Sequence, residues 1–271
     1  MPIATFDRGI FLWGLIILAS ANGLCAAVVA AINHGGWQDA AVNSFDVSAI
    51  VWISLIAGIL LIRPRARLKQ ISKVDLWLGF GCFVLICIPA GPPSWIALTI
   101  LSASLLLGEH SPSQRRGAII VLATTVPMFW SRLCFQIFAD TILSIDASLV
   151  SWLVGTARSG NMVEFVEGPG YLVIYPTCSS LANMSLAVLC WIAFVQLLDH
   201  KWRNIDIIWG MLACLAVVAI NVIRMGLMAQ SLDYYEAVHS NRGDVIANII
   251  FLVAVLGICL RGVRHEIFAR V

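Results

Sequence analysis

Residues 205–229 read Ile205-Asp-Ile-Ile-Trp-Gly-Met-Leu-Ala-Cys-Leu-Ala-Val-Val-Ala-Ile-Asn-Val-Ile-Arg-Met-Gly-Leu-Met-Ala229. Only Asp206 and Arg224 in this run carry charge, and the run exceeds the roughly 20 apolar residues that cross a bilayer as one helix. Seven other stretches have the same character, at about 10–32, 47–62, 74–90, 95–107, 118–139, 180–198 and 244–260. The fourth is short and follows Gly91-Pro-Pro-Ser94, which predicts a tilted or thinly inserted helix. The first has an apolar core too long for a cleavable signal peptide, and no small-x-small cleavage site follows it.

The composition supports this reading over the whole chain. Of the 271 residues, 60% are hydrophobic and 12% are charged, whereas soluble domains carry about 25% charged residues. The mean hydropathy is +0.91. A water-soluble fold of this size has no interior large enough for that much apolar surface, so a soluble enzyme is excluded. The expected architecture is an all-α integral membrane protein of about eight spans, forming one polytopic domain over 1–271 whose catalytic half is 140–260. There is no internal repeat, so the inverted-repeat plan of many transporters loses support.

The net charge of +2 hides a strong asymmetry. With the N-terminus in the cytoplasm, thirteen of the seventeen Lys and Arg residues fall inside: Arg8, Arg63, Arg65, Arg67, Lys69, Lys73, Arg115, Arg116, Lys201, Arg203, Arg261, Arg264 and Arg270. Only Arg158 and Arg242 fall outside, as the positive-inside rule requires. Both termini are then cytoplasmic. The last two, Arg132 and Arg224, fall within spans, where a charge costs about 2.5–3.5 kcal/mol on insertion scales and marks a functional candidate.

The outer segment from about 140 to 179 is long for a passive connection. Its apolar residues Ile142, Leu143, Ile145, Leu149, Val150, Trp152 and Leu153 predict a helix lying on the membrane surface. Two β-prone runs, Asn161-Met-Val-Glu-Phe165 and Tyr171-Leu-Val-Ile-Tyr175, flank a Gly-Pro-Gly turn and predict a hairpin that could edge an extended peptide.

Seven of the eight cysteines (Cys25, Cys82, Cys87, Cys134, Cys190, Cys214, Cys259) lie in apolar runs and read as small hydrophobes. No pattern calls for a disulfide framework, a metal or a cofactor. Cys178 differs, because Tyr175-Pro-Thr-Cys-Ser-Ser-Leu181 places it beside a helix start, where the positive end of the helix dipole favours a nucleophilic thiolate. Asn221 and Arg224 share a helix face three residues apart, with Arg224 about five residues from the outer end of its span. Arg132 lies seven residues from the outer end of the fifth span. His239 sits in the last outer loop. The span order brings Cys178, Arg224 and His239 to one membrane face as a nucleophile, an oxyanion stabiliser and a base, with Asn221 orienting Arg224 or His239 and Arg132 and Ser179 in supporting places.

These residues carry a family resemblance. Gly160-Asn161 with Gly170-Tyr-Leu-Val-Ile-Tyr-Pro-Thr-Cys-Ser-Ser-Leu181 resembles the nucleophile block of the exosortase/archaeosortase family. Asn221-Val-Ile-Arg224 resembles its Asn-x-x-Arg motif, and His239-Ser-Asn-Arg-Gly243 its His-x-x-x-Gly. The order and spacing of the blocks agree over residues 160–260, while the first 140 residues match only as spans. The family commonly has Cys-Ser-Gly where this chain has Cys178-Ser179-Ser180. The resemblance implies a bacterial inner-membrane cysteine transpeptidase without cofactor, similar to sortases in logic. Its partners would be membrane lipids and an exported protein ending in a short motif such as Pro-Glu-Pro, a transmembrane helix and a basic tail, often alongside exopolysaccharide production, with no nucleic acid. Carried over by position, Cys178 is the nucleophile, and Arg224 and His239 are the essential arginine and histidine. Two readings from other classes stand beside it: a small-solute transporter or channel with Arg132 and Arg224 as anion contacts, and a non-catalytic component of an exopolysaccharide assembly.

Overall fold

The computed structural model describes residues 7–64, 70–108 and 111–264; Arg65, Arg67, Lys69 and Arg270 lie outside them. Every apolar stretch named above is helical. Among the described residues five helices are long and apolar enough to cross a membrane, and the chain is an all-α membrane protein. It divides into two compact units, 1–129 and 130–271.

The first unit holds α1 (Arg8–Val42), α2 (Ala49–Ile62), α3 (Lys73–Cys87), α4 (Gly91–Leu107) and α5 (Pro112–Thr125). Their starts follow local chemistry. Ser72 with Asp75 and Ser111 with Gln114 form reciprocal capping boxes that satisfy free N–H groups of the first turns. The Gly91-Pro-Pro-Ser94 stretch, expected to precede a short span, is instead the first turn of α4. Proline at the start of a helix lacks an N–H that would in any case be unpaired, and its fixed φ suits the turn.

Helices α2 and α5 meet at two glycines. A Cβ on Gly117 would lie 2.6 Å from the Gly58 carbonyl oxygen and 2.9 Å from the Ile62 backbone nitrogen. Backbone cannot retreat as a side chain can, so Gly117→Ala is expected to lower stability by about 2–3 kcal/mol. A thermal melt of the detergent-solubilised protein checks this, and an unchanged midpoint contradicts the close approach.

The second unit contains α6 (Ser131–Val154), a three-stranded sheet, α7 (Ser180–Leu197), α8 (Ile205–Met228), α9 (Leu232–Val238) and α10 (Asn241–Gly262). The expected break near 139 falls at a kink at Phe138, where the helix path leaves helical φ and ψ. One helical path runs from Pro112 to Val154, through a π turn at Val126–Trp130 and with a single non-helical residue, Phe138. The face assignment also changes, because Leu143, Asp146, Ala147 and Val150 are buried while Ile145, Leu149, Trp152 and Leu153 are exposed.

Strands β1 (Arg158–Ser159), β2 (Met162–Glu164) and β3 (Tyr171–Val173) pair antiparallel in that order, with Val163 opposite Leu172. These two residues and Ile174 pack onto Leu143, Ala147 and Val150 of α6 and Val222, Met225 and Met228 of α8. Alternation along a strand sends every second side chain to the same face, so the three-residue strands contribute one inward residue each, and the sheet covers one end of the α6–α8 pair. The turn between β2 and β3 is fastened there too: Val166 N–H donates to the Ala229 carbonyl and Glu167 N–H to the Gln230 carbonyl. Carbonyls at the end of α8 that would otherwise lack partners are thereby satisfied.

Candidate active site

Cys178 is the last residue of a short 3-10 turn, Pro176–Cys178. Ser179 caps α7 by accepting from the Leu181 N–H, so the thiol sits just ahead of the cap. Cys178 is half-buried and packs against the apolar cluster of α6, α8 and the sheet.

A chain of buried polar groups fixes the backbone there. Asn221 of α8 donates from Nδ2 to the Cys178 carbonyl at 2.8 Å and to Ser180 Oγ at 3.0 Å. Ser180 in turn gives its hydroxyl to Asp146 Oδ1 at 2.8 Å and its N–H to Asp146 Oδ2 at 3.1 Å. Asn221 is 1% exposed and Asp146 3%. Buried hydrogen bonds of this kind are costly to break singly, because the surviving partner is left desolvated. Asp146 also places its carboxyl at the N-terminus of α7, where the helix dipole favours negative charge. Asn221 therefore holds the Cys178 segment in place.

Arg224 lies one turn further along α8. Its side chain is 16% exposed and ion-pairs through Nη2 with Asp244 Oδ1, in the first turn of α10. The pair fastens α8 to α10, and among the described residues Arg224 Nε is buried with no partner. His239 ends α9, and its exposed imidazole stacks on Tyr235 at 5.2 Å between ring centroids. Tyr235 and Val238 pack against the same cluster as Cys178. Arg224 and His239 are thus held at the Cys178 end of the unit through α8, α10 and the shared cluster, not by a hydrogen bond to the thiol.

Arg132 was expected near the outer end of its span. Past a kink at Phe138 the helix continues to Val154, and Arg132 lines a cavity of about 390 Å³ with Gln136, Pro176 and Ser179. Sequence reasoning missed three residues: Asp146, Tyr235 and Asp244. Asp146 had a signal, since it lies three residues after Leu143 and four before Val150 and so falls on the buried stripe. Tyr235 and Asp244 had none beyond proximity to His239.

No protein-family model matches the chain, nor does any curated protein or solved structure. The chemistry of the site therefore rests on its own geometry: a thiol on a fixed backbone beside a helix N-terminus, with a guanidinium one turn from the group that anchors it and an imidazole on the adjoining turn. Among the described residues no cluster suited to a metal ion is present.

Proposed function

We propose that this protein is a membrane cysteine peptidase or transpeptidase that cleaves C-terminal sorting signals of exported proteins. The observation that carries the reading is the Asn221 bond to the Cys178 carbonyl. It joins the cysteine block to the Asn-x-x-Arg block, and the Arg224–Asp244 pair joins that block to the histidine block. The first link spans 43 residues of chain and the second 20, so consecutive contacts connect the three motifs. In this reading α1, α2, α3, α4, the α5–α6 path, α7, α8 and α10 span a bacterial inner membrane. The basic segments face the cytoplasm, and Cys178, Arg224 and His239 meet the periplasmic boundary.

The Cys178 thiolate attacks the scissile carbonyl and His239 holds the thiol proton. The guanidinium of Arg224 stabilises the oxyanion. The C–N bond then breaks, His239 returns the proton to the leaving amine, and a thioester remains on Cys178. An incoming amine or water displaces the thiolate from that thioester. The substrate is an exported protein whose single C-terminal helix presents its cleavage motif at the membrane surface.

The test is co-expression with a tagged protein ending in such a motif, helix and basic tail. The wild-type enzyme shortens it, while Cys178→Ala, Arg224→Ala and His239→Ala leave it full-length, each in folded protein. Processing by all three variants overturns the assignment.

A further inference from the structure

We propose that the free edge of β3 is a docking strand: the substrate segment preceding the cleaved bond adds to the sheet as a fourth strand, parallel to β3, and is led along it to Cys178. This rests on the reading of Cys178 as nucleophile. Three observations carry it. First, β3 forms one edge of the sheet. Leu172 lies opposite Val163, Phe165 N–H donates to the Gly170 carbonyl, and Ile174 N–H donates to the Asn161 carbonyl. Residues that bond one neighbour alternate along an antiparallel strand with residues that face the other side. Tyr171 and Val173 therefore direct their N–H and C=O groups outward, where among the described residues no strand lies. Second, the two edges of the sheet are unlike. On β1, Arg158 lays its guanidinium on the Gly160 carbonyl and Ser144 Oγ, and a two-residue strand bearing a charge is guarded against stray pairing. The run Tyr171-Leu-Val-Ile-Tyr175 carries no charge. Third, β3 is continuous with the thiol. Pro176, which has no N–H to offer a partner, closes the run and opens the 3-10 turn that ends in Cys178.

The direction follows from the membrane. In the proposed function the substrate's helix enters the bilayer beyond the cleaved bond, so the segment before that bond reaches the thiol with its C-terminal end. β3 also runs toward Cys178, which makes the added strand parallel. The two faces of that strand meet different surroundings. Leu172 and Ile174 are buried against α6 and α8, while Tyr171 and Tyr175 are exposed, so alternate side chains of the peptide fall beside the tyrosines. Main-chain pairing supplies affinity whatever the sequence, and the side-chain surroundings supply selection. The edge is also set in advance. Asn161 Nδ2 donates to the Ile174 carbonyl at 2.9 Å, and the β2–β3 turn is bonded to the end of α8, so little ordering of the enzyme opposes docking.

Val173→Pro tests the edge, because proline there removes an outward N–H and is tolerated on an edge strand. Processing of the tagged sorting-signal protein is expected to fall roughly tenfold, through a lost hydrogen bond and a ring in the path of the added strand. The melting midpoint, and the rate at which iodoacetamide alkylates Cys178 by peptide mass spectrometry, are expected to stay near wild type. Undiminished processing overturns the proposal. Should the variant lose its fold, a proline scan of the tagged protein with wild-type enzyme decides the matter. Prolines at every second residue before the cleaved bond are expected to lower processing by roughly three- to tenfold, the worth of one hydrogen bond, and the intervening ones to spare it. A scan without that period of two overturns docking on β3. Binding apart from catalysis is read in full-length Cys178→Ala with photoreactive benzoylphenylalanine placed at Tyr171. It is expected to cross-link the tagged protein, whereas the same group placed at Ser159 on the β1 edge is not. No capture at Tyr171, equal capture at both positions, or capture of a second copy of this chain overturns the proposal. Processing that persists in Cys178→Ala with capture at Tyr171 retained marks failure of the peptidase reading alone, since capture does not depend on catalysis.

Discussion

Gly243→Ala is expected to abolish sorting-signal processing, by a hundredfold or more, while leaving Cys178, Arg224 and His239 chemically intact. A methyl group on Gly243 would overlap the Val238 carbonyl oxygen and lie 2.7 Å from its carbon and 3.0 Å from the Ala237 oxygen. All three are backbone atoms, so no rotamer change relieves the clash, and α9 or α10 must move. α10 is a 22-residue helix fastened by the Arg224–Asp244 pair. α9 has seven residues, none buried, and so yields first. It carries His239 at its end, held by an N–H bond of 2.8 Å to the Tyr235 carbonyl. Displacing a catalytic group by about 1 Å suffices for a hundredfold loss. The melting temperature is expected to change little, because the moving segment contributes little buried surface. Wild-type processing by Gly243→Ala contradicts this account, and so does a large fall in its melting temperature. The glycine of His239-Ser-Asn-Arg-Gly243 thus has a steric cause: two consecutive helices joined by a two-residue turn leave no room for a side chain.

The second large effect is expected at Asp146. Asp146→Ala removes the acceptor for both the Ser180 hydroxyl and the Ser180 N–H and opens a cavity beneath α7. Two desolvated donors at about 1–3 kcal/mol each predict a loss of roughly 2–6 kcal/mol, visible as a fall of several degrees in the melting midpoint. Because Ser180 also accepts from Asn221, which holds the Cys178 carbonyl, processing should fall beyond the loss of folded protein. Asp146→Asn keeps one acceptor and is expected to recover most of the stability. The diagnostic measurement is a double-mutant cycle with Ser180→Gly: groups in one network give non-additive losses, and additive ones would show that the bonds do not act together.

The sequence made the apolar helices and most of their starts legible, because apolar length, Pro and Ser at helix entries, and Gly-Pro-Gly at a turn act locally. It misled where tertiary context decided. The helix path from Pro112 to Val154 reads as two segments, and the kink at Phe138 divides it close to that boundary, but the sequence does not show that helical turns continue directly on both sides. Asp146 belongs to a stripe that a surface-helix reading turns toward water, yet its bonds to Ser180 place it inside. Asn221 shares a face with Arg224, as spacing requires, but its amide bonds the chain across the helix interface, which no intrahelical spacing reveals. Arg132 lines a cavity with Pro176 and Ser179, a juxtaposition across elements that spacing along its own helix does not reveal.

The tripartite contact of Asp146, Ser180 and Asn221 also bears on how such chains diverge. A glycine at 180 would leave the carboxyl of residue 146 with one backbone donor and deprive the amide of residue 221 of a side-chain acceptor. Positions 146 and 180 are therefore expected to change together in related lineages, with an acidic residue at the first wherever the second carries a hydroxyl. What looks like a local variation beside Cys178 is then half of a compensated pair, inherited as a unit.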